Sequence, residues 1–405
     1  MRKKLCLISA AVLIISAGSC SVLDAVDVMV EPREERPPAV DEKNEYSARD
    51  YESLLGIFEA AVINCESYVI ITFSKEFPEN IEATIAATVY DFIHSNAAGS
   101  FAVERIKHNP AEYYPEYAVA AFEIEYKRTD NDIITATRAA SRLTSTRAVN
   151  NSIAGTMKRY GDKLYFTTQL AEINTALLLS AAEQAYYDAP LEIAARPAVQ
   201  IMCYPADSPL YKERIFEITF DYGTASQQQL ALRTESLRQN AARIANAAGG
   251  ASDISVLRDL LNALSNVANY SEALEDVYPP QSFAATAYGT ISGDQDSVSE
   301  GYAMAFKALC DVLHISCTVQ SGEIDGQLRF WNVVIADGAE LTVYPYLYDI
   351  TDGAEGFLPI APPAETEDGE PTDPNATPDP NATEEPPTPT PTPTEPAASP
   401  SPVGI

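Results

Sequence analysis

The side chains that most often carry nucleophilic or acid–base chemistry are scarce in this chain. Its only histidines are His94, His108 and His314. His94 is predicted to end a helix and His108 to precede a turn, so we interpret both as surface residues. No Cys-x-x-Cys pair, the spacing typical of zinc sites, occurs in the sequence. The sequence therefore predicts no metal site and no cofactor.

One stretch near the C-terminal end carries a recognisable series of motifs. Residues 297–306 read SVSEGYAMAF at the start of a predicted helix, and residues 329–334 read RFWNVV in a predicted strand. Asp337-Gly338 follows, with Tyr344 six residues further on. These motifs resemble the transglutaminase-like proteins of the papain-like fold. Members of that family read Gly-Val-Cys-x-Gly-Tyr-Ala, then His-x-Trp-Asn-x-Val, then Asp-Gly and an Asp six residues later.

The residues that differ from the family pattern are the catalytic ones. The resemblance, which covers about residues 252–350, implies a Cys nucleophile, a His base and an orienting Asp. The matching positions hold Ser299, Arg329 and Tyr344. Arginine accepts no proton at ordinary pH, and His314 lies roughly 22 Å from Ser299 along the helix. We therefore expect no catalytic residue and interpret the domain, residues 225–360, as a pseudo-enzyme.

Two other roles are predicted for this region. Ser297 and Glu300 fit a Ser-x-x-Glu capping box, which makes Ser299 a polar residue of the first helical turn. Arg329, Trp331 and Tyr344 are predicted to line the former cleft and to bind an envelope protein or a wall peptide. An alternative hypothesis keeps Ser299 as the nucleophile of a residual protease-like hydrolase or acyltransferase.

Residues 47–224 are predicted to contain one unit twice, over about 48–127 and 133–222. Each copy opens with a helix, the second of them over 133–157, and continues with a strand, a helix and two strands, which in the first copy are predicted to begin near Phe101 and Ala118. Residues 122–126 read FEIEY and residues 216–220 read FEITF, 94 residues apart. The β-α-β-β order predicts an α+β fold with helices on one face of each sheet. A second alternative hypothesis makes this module an adaptor that docks a partner protein.

The two ends of the chain indicate export. Basic residues and an apolar run, Leu5 to Ala17, precede Ala17-Gly18-Ser19-Cys20, which predicts a lipoprotein signal peptide over residues 1–20 and a lipid on Cys20. An ordinary signal peptide cut near Ala17 is the alternative. Residues 21–46 are predicted to be a flexible spacer and residues 361–405 a disordered, acidic Pro/Thr-rich tail.

The charge of the chain restricts its partners. The formal net charge is -31, and no Lys or Arg follows Arg329. Because nucleic-acid binding depends on Lys and Arg contacts to phosphates, we expect no nucleic-acid partner. The sequence thus predicts a lipid-anchored protein on the extracytoplasmic face of a bacterial membrane.

Overall fold

The computed structural model describes residues 45–351, apart from 78–79, 207–212, 280 and 294–295, together with residues 358–359. The predicted signal peptide, Cys20, the spacer up to residue 44 and the 361–405 tail lie outside these residues. In the described part of the chain, no helix is long and apolar enough to cross a membrane.

The first copy of the duplicated unit is a sheet packed against helices. Its elements are β1 (Glu45–Ala48), α1 (Tyr51–Ile63), β2 (Tyr68–Ser74), α2 (Ile81–Ser95), α3 (Ala97–Ala102), β3 (Val103–His108), β4 (Glu112–Tyr113) and β5 (Tyr117–Tyr126). The sheet order is β1-β2-β5-β3, with β4 also paired to β5. Only the β1–β2 pairing is parallel in this sheet. Along β2 and the first part of β5, buried residues alternate with more exposed ones, so one sheet face carries the core.

The second copy repeats this topology. Its elements are α4 (Asp130–Ile134), a π-helical turn (Thr135–Ala139), β6 (Ser141–Arg142), α5 (Thr146–Lys158), β7 (Lys163–Thr168), α6 (Thr175–Asp188), β8 (Ala198–Tyr204) and β9 (Arg214–Asp221). The sheet order β6-β7-β9-β8 matches β1-β2-β5-β3, with the same parallel first pairing. The α+β fold and the duplication are thereby confirmed. Sequence patterns missed β1 and β6, which are too short to show a period.

Two predicted elements are wrong in detail. The helix predicted over 133–157 is interrupted, because residues 141–142 pair with β7 and Ser145 starts a new helix by accepting a hydrogen bond from the Ala148 N–H (3.2 Å). Phe101, predicted to begin a strand, lies in α3. That helix is capped by Asn96, whose side chain accepts from the Gly99 N–H at 3.0 Å.

The C-terminal region places helices against an antiparallel sheet. Its elements are α7 (Gln227–Ala245), α8 (Asp253–Val267), α9 (Glu272–Glu275), a 3₁₀ turn (Phe283–Ala285), α10 (Ala287–Ser292), α11 (Ser299–Val312), β10 (Ser316–Ile324), β11 (Gln327–Ala336), β12 (Ala339–Tyr344), β13 (Asp349–Thr351) and β14 (Leu358–Pro359). The sheet order is β13-β12-β11-β10-β14. Helix α11 packs against β10 and β11, so its N-terminus and β11 together define the region of the motif residues.

Two Asp-Gly turns set the register of β10, β11 and β12. At Asp325-Gly326 and at Asp337-Gly338 all four residues have positive φ, as a two-residue type I′ hairpin turn requires. The carboxylate of Asp337 also accepts hydrogen bonds from the N–H groups of Asp253 (3.2 Å) and Ile254 (3.3 Å) at the start of α8. The Asp-Gly motif thus has a structural role here.

The apolar cores do not follow the sequence repeats. One continuous core runs from Leu143 in the second copy through α7, α8 and α11 into the C-terminal sheet. A separate core fills the first copy and includes Ile133, Ala136, Tyr165 and Ile215 from the second. The second copy therefore shares its core with the C-terminal region. The first copy packs against one face of the second copy's sheet.

Candidate functional site

Ser299, at the nucleophile position of the motif, is the first residue of α11 and is fully buried. Its hydroxyl donates a hydrogen bond to Glu275 Oε2 (3.1 Å) and accepts one from the Phe330 N–H (3.2 Å). Its backbone N–H donates to the other carboxylate oxygen, Glu275 Oε1 (2.5 Å). The hydroxyl is therefore held between α9 and β11 with both a donor and an acceptor in place.

Arg329, at the position of the family's His, faces the same carboxylate. Its Nη1 lies 3.9 Å from Glu275 Oε2, and it donates further hydrogen bonds to the Leu328 carbonyl and to the Gln327 side chain. The residue is 5% exposed. Ser299 and Arg329 thus meet at Glu275, which forms with them a closed cluster.

Glu275 was not found by sequence reasoning. It ends the four-residue helix α9, belongs to none of the family motifs, and lies 24 residues before Ser299. The Glu275 carboxylate lies at the N-terminus of α11, where the helix dipole attracts negative charge. Burial, together with the nearby Glu275 carboxylate, raises the pKa of the Tyr270 phenol well above its usual range. A buried acid that meets its partners only in the folded chain leaves no periodic signal in the sequence.

Tyr344 and Trp331 lie together rather than at Ser299. Their ring centroids are 6.2 Å apart, and the two residues are 3% and 4% exposed. Burial raises the pKa of the Tyr344 phenol, and the charge of Asp349 adds to the effect. The binding role predicted for Arg329, Trp331 and Tyr344 stays a prediction, and all three side chains are buried in this structure.

Four tyrosines cover the side of this region that reaches solvent. We call Tyr270, Tyr302, Tyr346 and Tyr348 the aromatic cluster. Tyr270 packs on Tyr346 and Tyr302 with ring centroids 5.1 and 6.2 Å apart, and the Tyr302 and Tyr348 hydroxyls are 3.2 Å apart. Tyr348, at 42% exposed, and its neighbour Leu347, at 57%, form the outer edge.

The predicted capping box is wrong. Val298 is the N-cap of α11 and makes no side-chain cap, and the first amide of the helix, the Ser299 N–H, donates to Glu275 instead. Ser297 is held instead by backbone hydrogen bonds, since its N–H donates to the Asn269 carbonyl (2.8 Å) and its carbonyl accepts from the Ser271 N–H (3.0 Å). Among the described residues, no hydrogen-bond partner exists for its hydroxyl.

Glu300, the other half of that predicted box, is fully buried and points to the second copy of the repeat. Its carboxylate pairs with Arg196 Nη1 (2.7 Å) and accepts hydrogen bonds from the hydroxyls of Tyr187 (3.1 Å) and Tyr278 (2.8 Å). Burial raises the pKa of the Glu300 carboxyl, an effect that Arg196 and the two phenols oppose. Burial also disfavours the Arg196 cation, but Glu300 and the tyrosines outweigh it, so the pKa of Arg196 is raised.

The chemistry open to this arrangement is limited. A serine hydroxyl needs a strong base and an approach for substrate. The carboxylate beside Ser299 is shared with Arg329, and all three residues are buried. Over the described ranges, no three or more His, Cys, Asp or Glu side chains converge as metal ligands would.

Comparisons with known proteins show only a distant structural similarity. No protein-family model matches the chain, and no curated protein matches it. A solved structure described as a crystal structure of a TGase matches 52% of this chain and 59% of its own, with 9% identity and a TM-score of 0.25. The match thus spans about three-fifths of that protein's length, and a likeness this weak carries no argument about function.

Proposed function

We propose that residues 225–360 are a transglutaminase-like domain that has lost its catalytic chemistry, in an exported protein held at the membrane by a lipid on Cys20. In this proposal the domain acts as a scaffold that binds envelope proteins or wall peptides. The observation that carries the loss of catalysis is the closed cluster of Ser299, Glu275 and Arg329. Its hydrogen bonds engage the Ser299 hydroxyl as both donor and acceptor, which gives this serine a structural role.

The cluster supports loss of catalysis for electrostatic reasons. To act as nucleophile, Ser299 would have to pass its proton to Glu275, whose carboxylate is already paired with Arg329. Carboxylates ionise near pH 4, far below the pH at which a serine hydroxyl gives up its proton. Arg329 Nη1 lies 3.9 Å from the same carboxylate oxygen that accepts from the Ser299 hydroxyl.

The rival function, a residual hydrolase or acyltransferase, is tested at Ser299. A fluorophosphonate probe should leave Ser299 unlabelled in the full chain, because the hydroxyl is buried and bonded on both sides. Stoichiometric labelling that disappears in Ser299→Ala, or any turnover lost in that variant, would overturn the proposal of an inactive domain.

The binding surface we propose is the outer edge of the aromatic cluster. Exposed tyrosine and leucine side chains offer rigid apolar area of the kind that anchors peptides. Leu347 and Tyr348 provide it directly above Tyr302 and Tyr346. Arg329, Trp331 and Tyr344 are buried, so binding through them would require this region to open.

Co-sedimentation with purified peptidoglycan tests this surface. The full chain should pellet, and Leu347→Ala combined with Tyr348→Ala should abolish pelleting. Leu232→Ala, at a residue of α7 that is 65% exposed, is the matched control and should pellet like the wild type. Pelleting that survives the double substitution, or no pelleting of the wild type, would refute wall binding by this edge. Substituting the buried Arg329 or Tyr344 would confuse lost binding with unfolding.

A further inference from the structure

The two copies of the repeat differ in what covers the sheet face that points away from their own helices. In the second copy, this face is covered by the first copy. Phe101 of α3 packs edge-on against Tyr165 and Tyr204, with ring centroids 5.8 and 5.2 Å apart. Arg128, just after β5, donates to Glu217 Oε2 (2.8 Å) and to the Tyr204 hydroxyl (2.5 Å). An arginine and an aromatic ring thus occupy this face.

The matching face of the first copy can be aligned strand by strand. Tyr68 of β2 lies opposite Glu123 of β5, just as Tyr165 of β7 lies opposite Glu217 of β9. The same tyrosine–glutamate pair therefore occurs at the same place in both sheets.

The third strand of each sheet extends the alignment. The Asn109 N–H donates to the Ala121 carbonyl (3.2 Å), so Asn109 takes the place that Tyr204 has opposite Ile215. Lys107 lies opposite Glu123 where Met202 lies opposite Glu217. The seat of Arg128 and Phe101 on the second copy therefore has a counterpart on the first.

In the first copy this counterpart is open among the described residues. A cavity of about 680 Å³ is lined there by Tyr68, Lys107, Asn109, Ala121 and Glu123, among others. Tyr68 is 41% exposed, whereas its counterpart Tyr165 is 9% exposed. The cavity occupies the position that Phe101 and Arg128 fill in the second copy.

We propose that this face of the first copy is a docking site for a partner protein that presents an arginine beside an aromatic side chain. Glu123 receives the guanidinium, as Glu217 receives Arg128. The two cations on the neighbouring strand, Arg105 and Lys107, are both paired with Glu125. The negative charge of the chain also favours approach of a basic partner.

A second copy of this chain does not fit the site. Its own Arg128 and Phe101 are already seated against its own second repeat, where the Arg128 guanidinium also stacks on the Phe101 ring at 4.9 Å. We therefore take the occupant to be a different protein, since a second copy cannot offer Arg128 and Phe101. The inference concerns the first copy alone and is independent of wall binding by the aromatic cluster, so either proposal can fail while the other stands.

Titration of the full chain with Nα-benzoyl-argininamide, which joins an aromatic ring to a guanidinium, tests the site. Nuclear magnetic resonance of the alanine methyl groups should show saturable shifts at Ala121. Glu123→Gln should weaken binding about fivefold or more, since a charge-assisted pair is lost. Glu116→Gln removes another exposed carboxylate of the first copy, one that pairs with Lys75, and should leave the affinity unchanged.

The ligand control is Nα-benzoyl-lysinamide, which keeps the charge but lacks the planar guanidinium and should bind more weakly. Three results would each overturn the proposal. These are no shift at Ala121, equal weakening by Glu123→Gln and Glu116→Gln, and equal affinity for the lysine compound. Glu123 is exposed, so its substitution leaves the fold intact.

Discussion

Two arginine–glutamate ion pairs, here called joints, connect the successive parts of this molecule, and they differ in the number of cations that hold the carboxylate. Arg196 and Glu300 join the second copy to α11, with Glu300 fully buried and bonded by two tyrosines. Arg128 and Glu217 join the first copy to the second, with the carboxylate also approached by Lys163 at 3.4 Å. The first joint lies within a continuous core, and the second lies at the edge of two separate cores.

From this difference we expect loss of the arginine to cost more stability at Glu300 than at Glu217. A buried carboxylate that loses its single cation is left uncompensated in a low-dielectric interior. A carboxylate that still has a second cation, as Glu217 has Lys163, keeps part of its stabilisation. The following substitutions test this comparison, from the largest expected effect to the smallest.

Arg196→Met should reduce the free energy of unfolding by about 3–5 kcal/mol, because Glu300 would stay buried with only two phenols as partners. Urea unfolding of the full chain measures the effect. Arg142→Met is the control, since the Arg142–Glu213 pair is exposed and 4.0 Å apart, and it should change little. Adding Glu300→Gln to Arg196→Met should recover much of the loss. No recovery would show that packing, rather than charge, explains it.

Arg128→Met should cost less, about 1–3 kcal/mol. Lys163 and the Tyr165 hydroxyl, 3.1 Å from Glu217, remain as partners of the carboxylate. The cost should fall in high salt, as expected for a partly exposed pair. A cost equal to that of Arg196→Met would contradict the proposed difference between the joints.

Two serines near the start of α11 form a matched pair for the closed cluster. Ser299→Ala should cost about 1–2 kcal/mol, because Glu275 and the Phe330 N–H each lose a buried partner. Ser297→Ala removes a buried hydroxyl that has no partner among the described residues, and should be neutral or stabilising. Equal destabilisation by both substitutions would argue against a structural role for the Ser299 hydroxyl.

Alkaline pH should weaken the fold through its buried tyrosines, with no effect near neutrality. Burial raises the pKa of Tyr346 and of Tyr165 to about 12 each, with Glu217 adding to the effect at Tyr165. In the unfolded chain tyrosine ionises near pH ~10. The native state therefore holds these protons more tightly, and its stability is complete below pH ~10 and lost as pH rises towards ~12. Melting temperatures across this range check the direction, and a constant value would contradict it.

The sequence predicts the repeated elements well because their physics is local. Ile81, Ile85 and Phe92 lie at helical spacing and are all buried in α2, and the FEIEY and FEITF strands have the predicted 94-residue offset. The candidate site was predicted only in part. Ser299 and Arg329 do meet, but through Glu275.

The missed features depend on contacts between distant residues. Glu300 follows a serine by three residues, a spacing that predicts a cap, but a partly buried arginine 104 residues away determines its position. The prediction of one helix over 133–157 is wrong for a related reason. The pairing of residues 141–142 with β7 is a tertiary contact that helix propensity does not include.

The continuous core from Leu143 into the C-terminal sheet has a consequence for cooperativity. Backbone amides of β7 and β9 should exchange with solvent deuterium together with those of α11, as one unit. Amides of β2 and β5 belong to the other core and should exchange at a separate, lower free energy. The boundary between the two cooperatively unfolding units would then lie near residue 140, between the two copies. The first copy would unfold by itself, whereas the second would unfold together with the C-terminal region.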